Sequence, residues 1–182
     1  MKKLLVVVDM LNDFCDAEGV LATSPITNKV YAKPIIDAVK SMVEEFRLNN
    51  DIIIWLADAH DEDDKEFDRF PKHAVRNTWG GEVISVLRPV TITVSDFEYL
   101  TTKTRYSGFY RTNLKTLLKF IKPTEVTVVG VCTSICVMDT VGGLANRDYN
   151  IIVPKNAVAD FDPDAHKNAL ARMEGLYGAK IV

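Results

Sequence analysis

Short runs of apolar, mostly β-branched residues constrain the fold of this chain more than any other feature. The strongest runs, at 3–8, 51–57 and 126–129, are apolar at successive positions and do not alternate with polar residues. Such runs are typical of strands buried on both faces, as in parallel sheets covered by helices. Weaker runs predict three further strands, at 90–94, 151–153 and 180–182.

The segments between these runs carry helical signals. Pro34 opens a helix whose apolar residues recur every three or four positions, from Ile35 to Phe46. Further helices are predicted at 80–87, from Thr112 to Pro123, over 134–146, and from Asp162 and Pro163 to about Leu176. The alternation predicts an α/β fold, a three-layer doubly wound sandwich. Its mainly parallel sheet has about six strands flanked by helices on both faces, in a single domain over 1–182.

Composition excludes several classes of function. The net charge of −3 over 182 residues provides no basic field for nucleic acid or anionic lipid. No apolar run reaches the roughly 20 residues of a membrane span. Asp9 interrupts the N-terminal apolar run too early for a signal peptide. Three cysteines cannot close a disulfide framework, so a cytoplasmic location is expected.

Polar residues follow four predicted strands at the points where those strands end. They are Asp9, Asp58 with His60, Lys103 in the loop after the third strand, and the segment from Cys132 to Cys136. In open parallel sheets, ligands bind outside the carboxyl ends of the strands. We therefore expect these side chains to converge on one edge of the sheet.

Cys136 is a candidate nucleophile. A strand ends at Gly130 and a helix starts near Ser134, which places Cys136 where helix N–H groups should lower its thiol pKa and could hold an oxyanion. Asp9 is a candidate base, because a carboxylate directly after a buried strand is partly desolvated and its pKa should rise. Lys103 is a candidate cation beside it. Two other interpretations stay open: Cys132 and Cys136 are small core residues, or they form a metal-binding or redox pair.

Asp58 and His60 predict a metal site, because side chains two positions apart at a strand end point the same way. His73, in the same loop, is a third candidate ligand, and this donor set suits Zn, Mn or Fe. Ordinary hydrogen bonding by loop histidines explains the pattern equally well. Glu66 and Asp68 are additional candidates, although the acidic run at 61–66 is more simply a solvated loop.

Five segments, in order over nearly the whole chain, resemble the isochorismatase-like cysteine hydrolases and among them the nicotinamidases. They are 8–14, 58–60, 70–73, 103–109 and 130–137. The resemblance implies hydrolysis of nicotinamide to nicotinate and ammonia through a thioester, as in NAD salvage, by a homo-oligomeric enzyme. Alternatives are hydrolysis of another small amide or carbamoyl compound, or a non-catalytic metal or redox module that uses Cys132 and Cys136.

The resemblance also implies roles for individual residues. The catalytic triad would be Asp9, Lys103 and Cys136. One divalent metal ion, with zinc the first choice, would be held by Asp58, His60 and His73, and in some relatives also by a glutamate that corresponds to Glu66. A cis peptide between Val131 and Cys132 would direct backbone N–H groups at the oxyanion. Aromatic residues in nearby loops could wall a pocket for a flat ligand, and the resemblance implies that Phe14 and Tyr106 would hold the substrate ring.

Overall fold

The chain forms a parallel sheet covered by helices, seen here in a computed structural model that describes residues 2–88 and 97–182. Within these ranges, seven strands follow the order β3-β2-β1-β4-β5-β7, with β6 pairing with β4, and every pairing is parallel. The strands are β1 (Lys3–Val8), β2 (Ile52–Asp58), β3 (Glu98–Lys103), β4 (Glu125–Val131), β5 (Ile151–Val153), β6 (Val158–Ala159) and β7 (Lys180–Ile181).

Helices cover both faces of the sheet. They are α1 (Asn12–Cys15), α2 (Ile36–Leu48), α3 (Leu114–Ile121), α4 (Met138–Ala145) and α5 (Pro163–Gly175). Leu5 and Val7 of β1 join the core under α2, whereas Leu4, Val6 and Val8 join the core under α3, α4 and α5. Successive strand residues point to opposite faces, so a strand covered on both sides must be apolar throughout. The predicted doubly wound fold is confirmed.

The structure corrects several sequence-based element bounds. The predicted strand at 90–94 lies outside the described residues, and Lys103 is the last residue of β3 and not part of a loop. The segment between β1 and α2, for which the sequence predicted no regular element, contains the short helix α1. The short helix predicted at 80–87 is a pair of 3₁₀ turns, Trp79–Gly81 and Ser85–Leu87. The helix α1 has four residues and each 3₁₀ turn has three, which is too few for a hydrophobic period to show in the sequence.

Helix starts were predicted more accurately where a side chain caps them. The Asp162 carboxylate accepts the N–H groups of Asp164 and Ala165, and Pro163 follows it at the first position of α5. The Thr112 hydroxyl accepts the Leu114 N–H at 3.2 Å, but the N-cap position of α3 is Asn113. None of the helices in the two described ranges combines the length and the apolarity that a bilayer crossing requires.

Candidate active site

The order of strands reverses between β1 and β4, and the residues that follow these strands meet at that point. In doubly wound sheets this reversal opens the crevice in which ligands bind. Asp9 follows β1, Asp58 ends β2, Lys103 ends β3, and Cys136 lies in the turn after β4. The register places Asp58 directly beside Lys103 on the neighbouring strand. The predicted convergence on one edge of the sheet is thus observed.

The ammonium group of Lys103 is the centre of this cluster. Its Nζ lies 2.7 Å from Oδ2 of Asp9, 2.6 Å from Oδ1 of Asp58 and 3.3 Å from Sγ of Cys136. Burial alone would lower the pKa of Lys103, but the charges of Asp58 and Asp9 raise it well above its usual value. The lysine therefore stays a cation although its side chain is shielded from solvent.

Asp9 has the properties of a proton acceptor. It is fully buried, and its backbone is in the left-handed region at φ 48°. Its Oδ1 accepts the N–H of Asp58 at 2.8 Å, which fixes the carboxylate against Lys103. Burial and the charge of Asp58 raise the pKa of Asp9 to about 6, against the opposing effect of Lys103. A base works best with a pKa near the working pH, so this carboxylate suits proton transfer near neutrality.

The predicted lowering of the Cys136 pKa is wrong. Burial raises the pKa of this thiol well above its usual value, and the positive charge of Lys103 does not overcome that effect. Cys136 lies in a π-helical turn, Thr133–Val137, that leads directly into α4. The resting group is consequently a thiol, which must lose its proton to a neighbouring base before it can attack.

The turn that carries Cys136 depends on a close approach of β4 to β1. Gly130 has φ +112°, and a Cβ there would lie 2.0 Å from the carbonyl oxygen of Val8. Only glycine can occupy this position without displacing β1. The peptide bond between Val131 and Cys132 is cis. The Ser134 N–H donates to Oδ2 of Asp160 at 2.7 Å, which ties the turn to the segment before α5.

Asp58, His60 and His73 form a second cluster beside the first. Each offers one ligand atom, and these atoms all lie within 4.8 Å of one another. His60 Nδ1 lies 3.1 Å from Asp64 Oδ2, and His73 Nδ1 lies 2.7 Å from the carbonyl oxygen of Pro71. Such contacts take up the Nδ1–H of each ring and leave Nε2 as the electron-pair donor, the usual arrangement of metal-binding histidines.

The donor set fits a divalent cation. His60 Nε2 is completely buried without a hydrogen-bond partner, 3.7 Å from Oδ2 of Asp58. An orphaned buried nitrogen is unfavourable unless something binds to it. Burial lowers the pKa of His73 and so keeps that ring neutral, as a ligand must be. Two imidazoles and one carboxylate are typical of open zinc sites.

The acidic loop after His60 differs from its predicted solvated form. Glu66 is only 3% exposed, its Oε2 has no hydrogen-bond partner, and burial together with the charge of Asp58 raises its pKa. Among the described residues, Glu66 is not part of the three-residue ligand cluster. Asp68 is exposed and therefore fails as a candidate ligand. Asp64, which the sequence analysis did not single out, has a side chain only 7% exposed.

A cavity of about 270 Å³ connects the two clusters. Cys136, Asp58, His73 and Glu66 contribute to its wall, and the remaining surface is largely aromatic and aliphatic. Phe14 and Tyr106, the predicted ring-binding residues, both line it. The other lining residues are Val20, Leu21, Thr23, Pro25, Tyr31, Phe70, Pro71, Cys132, Ile135 and Phe161. Such a cavity has room for one small, flat molecule.

Three further observations concern the cysteines and the acidic residues around the site. Cys132 is buried with Sγ 3.4 Å from the Tyr31 hydroxyl, and it joins neither of the two ligand-like clusters found in the described part of the chain. The second of those clusters, Asp9, Asp58 and Cys136, surrounds the ammonium group of Lys103. Asp13, also overlooked, accepts the Ala74 N–H at 2.8 Å and so braces the segment that carries His73.

Comparison with known proteins relates this geometry to a family. Residues 3–182 match the family model described as Isochorismatase domain. An uncharacterized isochorismatase family protein, PncA from Bacillus subtilis, is 33% identical over 187 residues, covering 100% of this chain and 99% of that protein. A probable inactive nicotinamidase from Arabidopsis thaliana is 30% identical over 182 residues, covering 94% of this chain and 88% of the relative.

Solved structures give the same result. The structure of the nicotinamidase PncA from Bacillus subtilis superimposes with a TM-score of 0.90 at 34% identity, covering 100% of this chain and 99% of that one. The structure of N-carbamoylsarcosine amidase from Thermoplasma acidophilum superimposes with a TM-score of 0.83 at 34% sequence identity, covering 100% of this chain and 95% of that one. The structure of a pyrazinamidase from Pyrococcus horikoshii in complex with zinc superimposes with a TM-score of 0.85 at 26% sequence identity, covering 100% of this chain and 99% of that one. The family model and the full-length relatives together show that this chain belongs to the isochorismatase family of hydrolases.

Proposed function

We propose that this protein is a metal-dependent cysteine amidase that hydrolyses nicotinamide to nicotinate and ammonia. The observation that carries the proposal is the contact of one ammonium group, on Lys103, with both Asp9 and Cys136. A nucleophile, a base and a fixed cation are thereby within reach of one another. The sulfur-bearing residue lines an aromatic cavity that two members of the candidate metal cluster, Asp58 and His73, also line.

In the first half of the reaction, Asp9 accepts the proton of Cys136 while the sulfur attacks the carboxamide carbon. An S–C bond forms, and the carbonyl oxygen becomes an oxyanion that the backbone N–H groups of Cys132 and Cys136 would stabilise. The C–N bond then breaks, and Asp9 returns the proton to the nitrogen, which leaves as ammonia. Lys103 stays charged throughout and balances the negative charge that moves between Asp9 and sulfur.

In the second half, water hydrolyses the thioester. Asp9 takes one proton from the water as the water oxygen attacks the acyl carbon, and it passes that proton to the sulfur as the C–S bond breaks. The product leaves as nicotinic acid, which loses its own proton to solvent and becomes nicotinate. The raised pKa of Asp9, about 6, lets the same carboxyl group act as acid and base in turn. Atoms balance as amide plus water giving acid plus ammonia.

Asp58, His60 and His73 would hold the metal ion, for which zinc is our first choice and manganese or iron the alternatives. When bound, the ion supplies a Lewis-acid coordination position suited to a pyridine nitrogen. Phe14 and Tyr106 would contact the faces of the ring and so fix the amide against the sulfur. Fixing reactants in this way can lower a barrier by roughly 7–11 kcal/mol.

The charge of the cavity supports an uncharged aromatic amide as the substrate. Of the described residues that line it, none is a lysine or arginine, and the charged ones are the acids Asp58 and Glu66. Another small amide or carbamoyl compound is the alternative, favoured by the likeness to N-carbamoylsarcosine amidase. A carbamoyl amino acid would bring its own carboxylate into this cavity, where burying an unpaired charge is unfavourable.

The deciding experiment measures ammonia release from nicotinamide by the zinc-loaded protein, with N-carbamoylsarcosine as the competing substrate. We expect ammonia and nicotinate in equal amounts, loss of activity after treatment with a chelator, and its return on adding zinc. The Arabidopsis relative, described as a probable inactive nicotinamidase, makes this test necessary. Faster hydrolysis of the carbamoyl compound, or no ammonia from nicotinamide, would refute the proposed substrate.

We further propose that residues 1–182 act as one hydrolase domain, in the cytoplasm, as a homo-oligomer that contributes to NAD salvage. The family model spans nearly all of these residues, which supports the single domain. Sedimentation analysis of the purified protein tests the oligomeric state, and a monomer at micromolar concentration would contradict it.

A further inference from the structure

Asp64 is a shielded carboxylate that contacts three separate parts of the candidate site. Its Oδ2 lies 3.1 Å from Nδ1 of His60, and its Oδ1 accepts the backbone N–H of Glu66 at 2.9 Å. Both oxygens also lie 2.9 Å from Nη1 of Arg105. Arg105 follows β3 in the same segment as Lys103 and Tyr106, so Asp64 joins the loop after β2 to the loop after β3.

The contact with His60 determines which nitrogen of that ring can bind a cation. A carboxylate accepts hydrogen bonds, so the proton of neutral His60 is held on Nδ1. The lone pair is then on Nε2, the nitrogen that is fully buried, without a hydrogen-bond partner and 3.7 Å from Asp58 Oδ2. If the proton moved to Nε2, the ring would present an N–H to the cation and could not bind it.

We infer that Asp64 is a positioning residue that holds His60 in the orientation and tautomer required to bind a divalent cation. The inference rests on the proposed metal site and goes beyond it, since it concerns a residue that does not belong to the ligand cluster. Partners of this kind that hydrogen-bond to a ligating histidine typically contribute about ten- to a hundredfold to metal affinity. Arg105, paired with both oxygens, holds the carboxylate in place from the opposite loop.

A simpler role for Asp64 must be separated from this one. Asp64 also occupies the N-cap position of the 3₁₀ turn Lys65–Asp68, where its side chain accepts the Glu66 N–H. Two variants distinguish the contact with His60 from the capping of the 3₁₀ turn. Asp64→Ser keeps an N-cap hydroxyl but is too short to reach His60, whereas Asp64→Glu keeps a carboxylate for His60 but is a poor cap. Asp63→Ser changes the neighbouring, exposed acid and is the matched control.

The experiment measures zinc dissociation constants by competition with a fluorescent chelator, and the melting temperatures of the metal-free proteins. We expect zinc affinity to fall at least about tenfold in Asp64→Ser, to fall much less in Asp64→Glu, and to stay unchanged in Asp63→Ser. A capping role predicts the opposite order for the two Asp64 variants. Zinc affinity in Asp64→Ser equal to that of the wild type, or a loss in Asp64→Glu as large as in Asp64→Ser, would overturn the inference.

A second measurement does not depend on affinity. In the zinc-loaded wild type, the His60 Nδ1–H should give a proton NMR signal protected from exchange, and Asp64→Ser should lose it while Asp63→Ser keeps it. Its persistence in Asp64→Ser would contradict the inference. Both measurements are independent of nicotinamide turnover: a protein that binds zinc but releases no ammonia refutes the proposed substrate alone, whereas a wild type that binds no zinc refutes this inference.

Discussion

The ammonium nitrogen of Lys103 lies 3.3 Å from the sulfur of Cys136, although 33 positions separate the two residues in the chain. The two side chains reach the site from β3 and from the turn after β4, on opposite sides of β1 and β2. Since burial keeps Cys136 as a thiol, the ammonium group forms an ion pair with the sulfur only when negative charge develops there. The pair is therefore suited to stabilising a charge that appears during a reaction and is absent at rest.

Replacing Cys136 by alanine should reduce kcat for nicotinamide at least about 1000-fold, because it removes the sulfur that would form the thioester. Zinc content, measured by atomic absorption, should not change. Cys132→Ala is the matched control and should keep most of the activity, because only the backbone of that residue takes part. Activity of Cys136→Ala comparable to that of the wild type would exclude the covalent mechanism. An inactive Cys132→Ala would indicate that Cys132 and Cys136 act as a pair.

The pKa of Asp9, raised from 3.8 to about 6, predicts an acidic limb in the pH profile. As pH falls through about 6 the carboxylate takes up a proton and is lost as a base. Below that pH, kcat/KM should drop about tenfold per pH unit. A raised carboxyl pKa stabilises the folded state as pH falls from 6 toward 3.8, so this group does not cause unfolding there.

Circular dichroism and zinc content at each pH distinguish this titration from unfolding and from metal loss. The prediction holds if activity falls while the circular dichroism signal and the zinc content stay constant. A profile that is flat down to pH 5, or one that follows zinc release, would assign the limb to a group other than Asp9.

Lys103→Met should destabilise the fold by about 3–5 kcal/mol, because it leaves the buried carboxylates of Asp9 and Asp58 without a counterion. Urea unfolding of the metal-free protein at pH 7 measures this loss. Lys115→Met, at an exposed position of α3, is the control and should change stability by less than about 0.5 kcal/mol. A loss below about 1 kcal/mol in Lys103→Met would mean that the two carboxylates do not need the cation.

Tyr106→Ala should raise KM for nicotinamide about ten- to a hundredfold, since it removes an aromatic wall of the cavity. Tyr106→Phe keeps the ring and loses only the hydroxyl, which receives a long 3.4 Å contact from Arg69. That variant should remain within about threefold of the wild type. Steady-state kinetics check both, and equal KM values for Tyr106→Ala and the wild type would show that the ring does not contact the substrate.

The sequence predicted the parts of the fold that depend on continuous burial. In β1 every residue after Lys3 is buried, and in β2 every residue is. Such strands must be apolar whichever elements cover them, so their pattern is visible without knowledge of the partners. Convergence of Asp9, Asp58, Lys103 and the Cys136 turn was predictable too, because parallel strands present their carboxyl ends at one edge.

Loop residues were less predictable. Asp64 lies in an acidic run whose composition favours a solvated loop, yet its side chain is buried against His60 and Arg105. The only local signal is its position four residues after His60, which also occurs in ordinary surface loops. Irregular segments have no period, so which of their side chains turn inward depends on contacts made elsewhere.

By itself, the sequence determined a parallel α/β sheet and the set of reactive residues at its edge, because periodicity and strand ends are local properties of a chain. The tertiary structure decided how those residues behave. Burial raised the thiol pKa that local position alone predicted to fall. For Asp9 the sequence predicted the direction of the pKa shift, and the packed charges and apolar groups around it set the value at about 6. A pKa depends on every charge and every apolar group around it, and those come together only when distant segments pack.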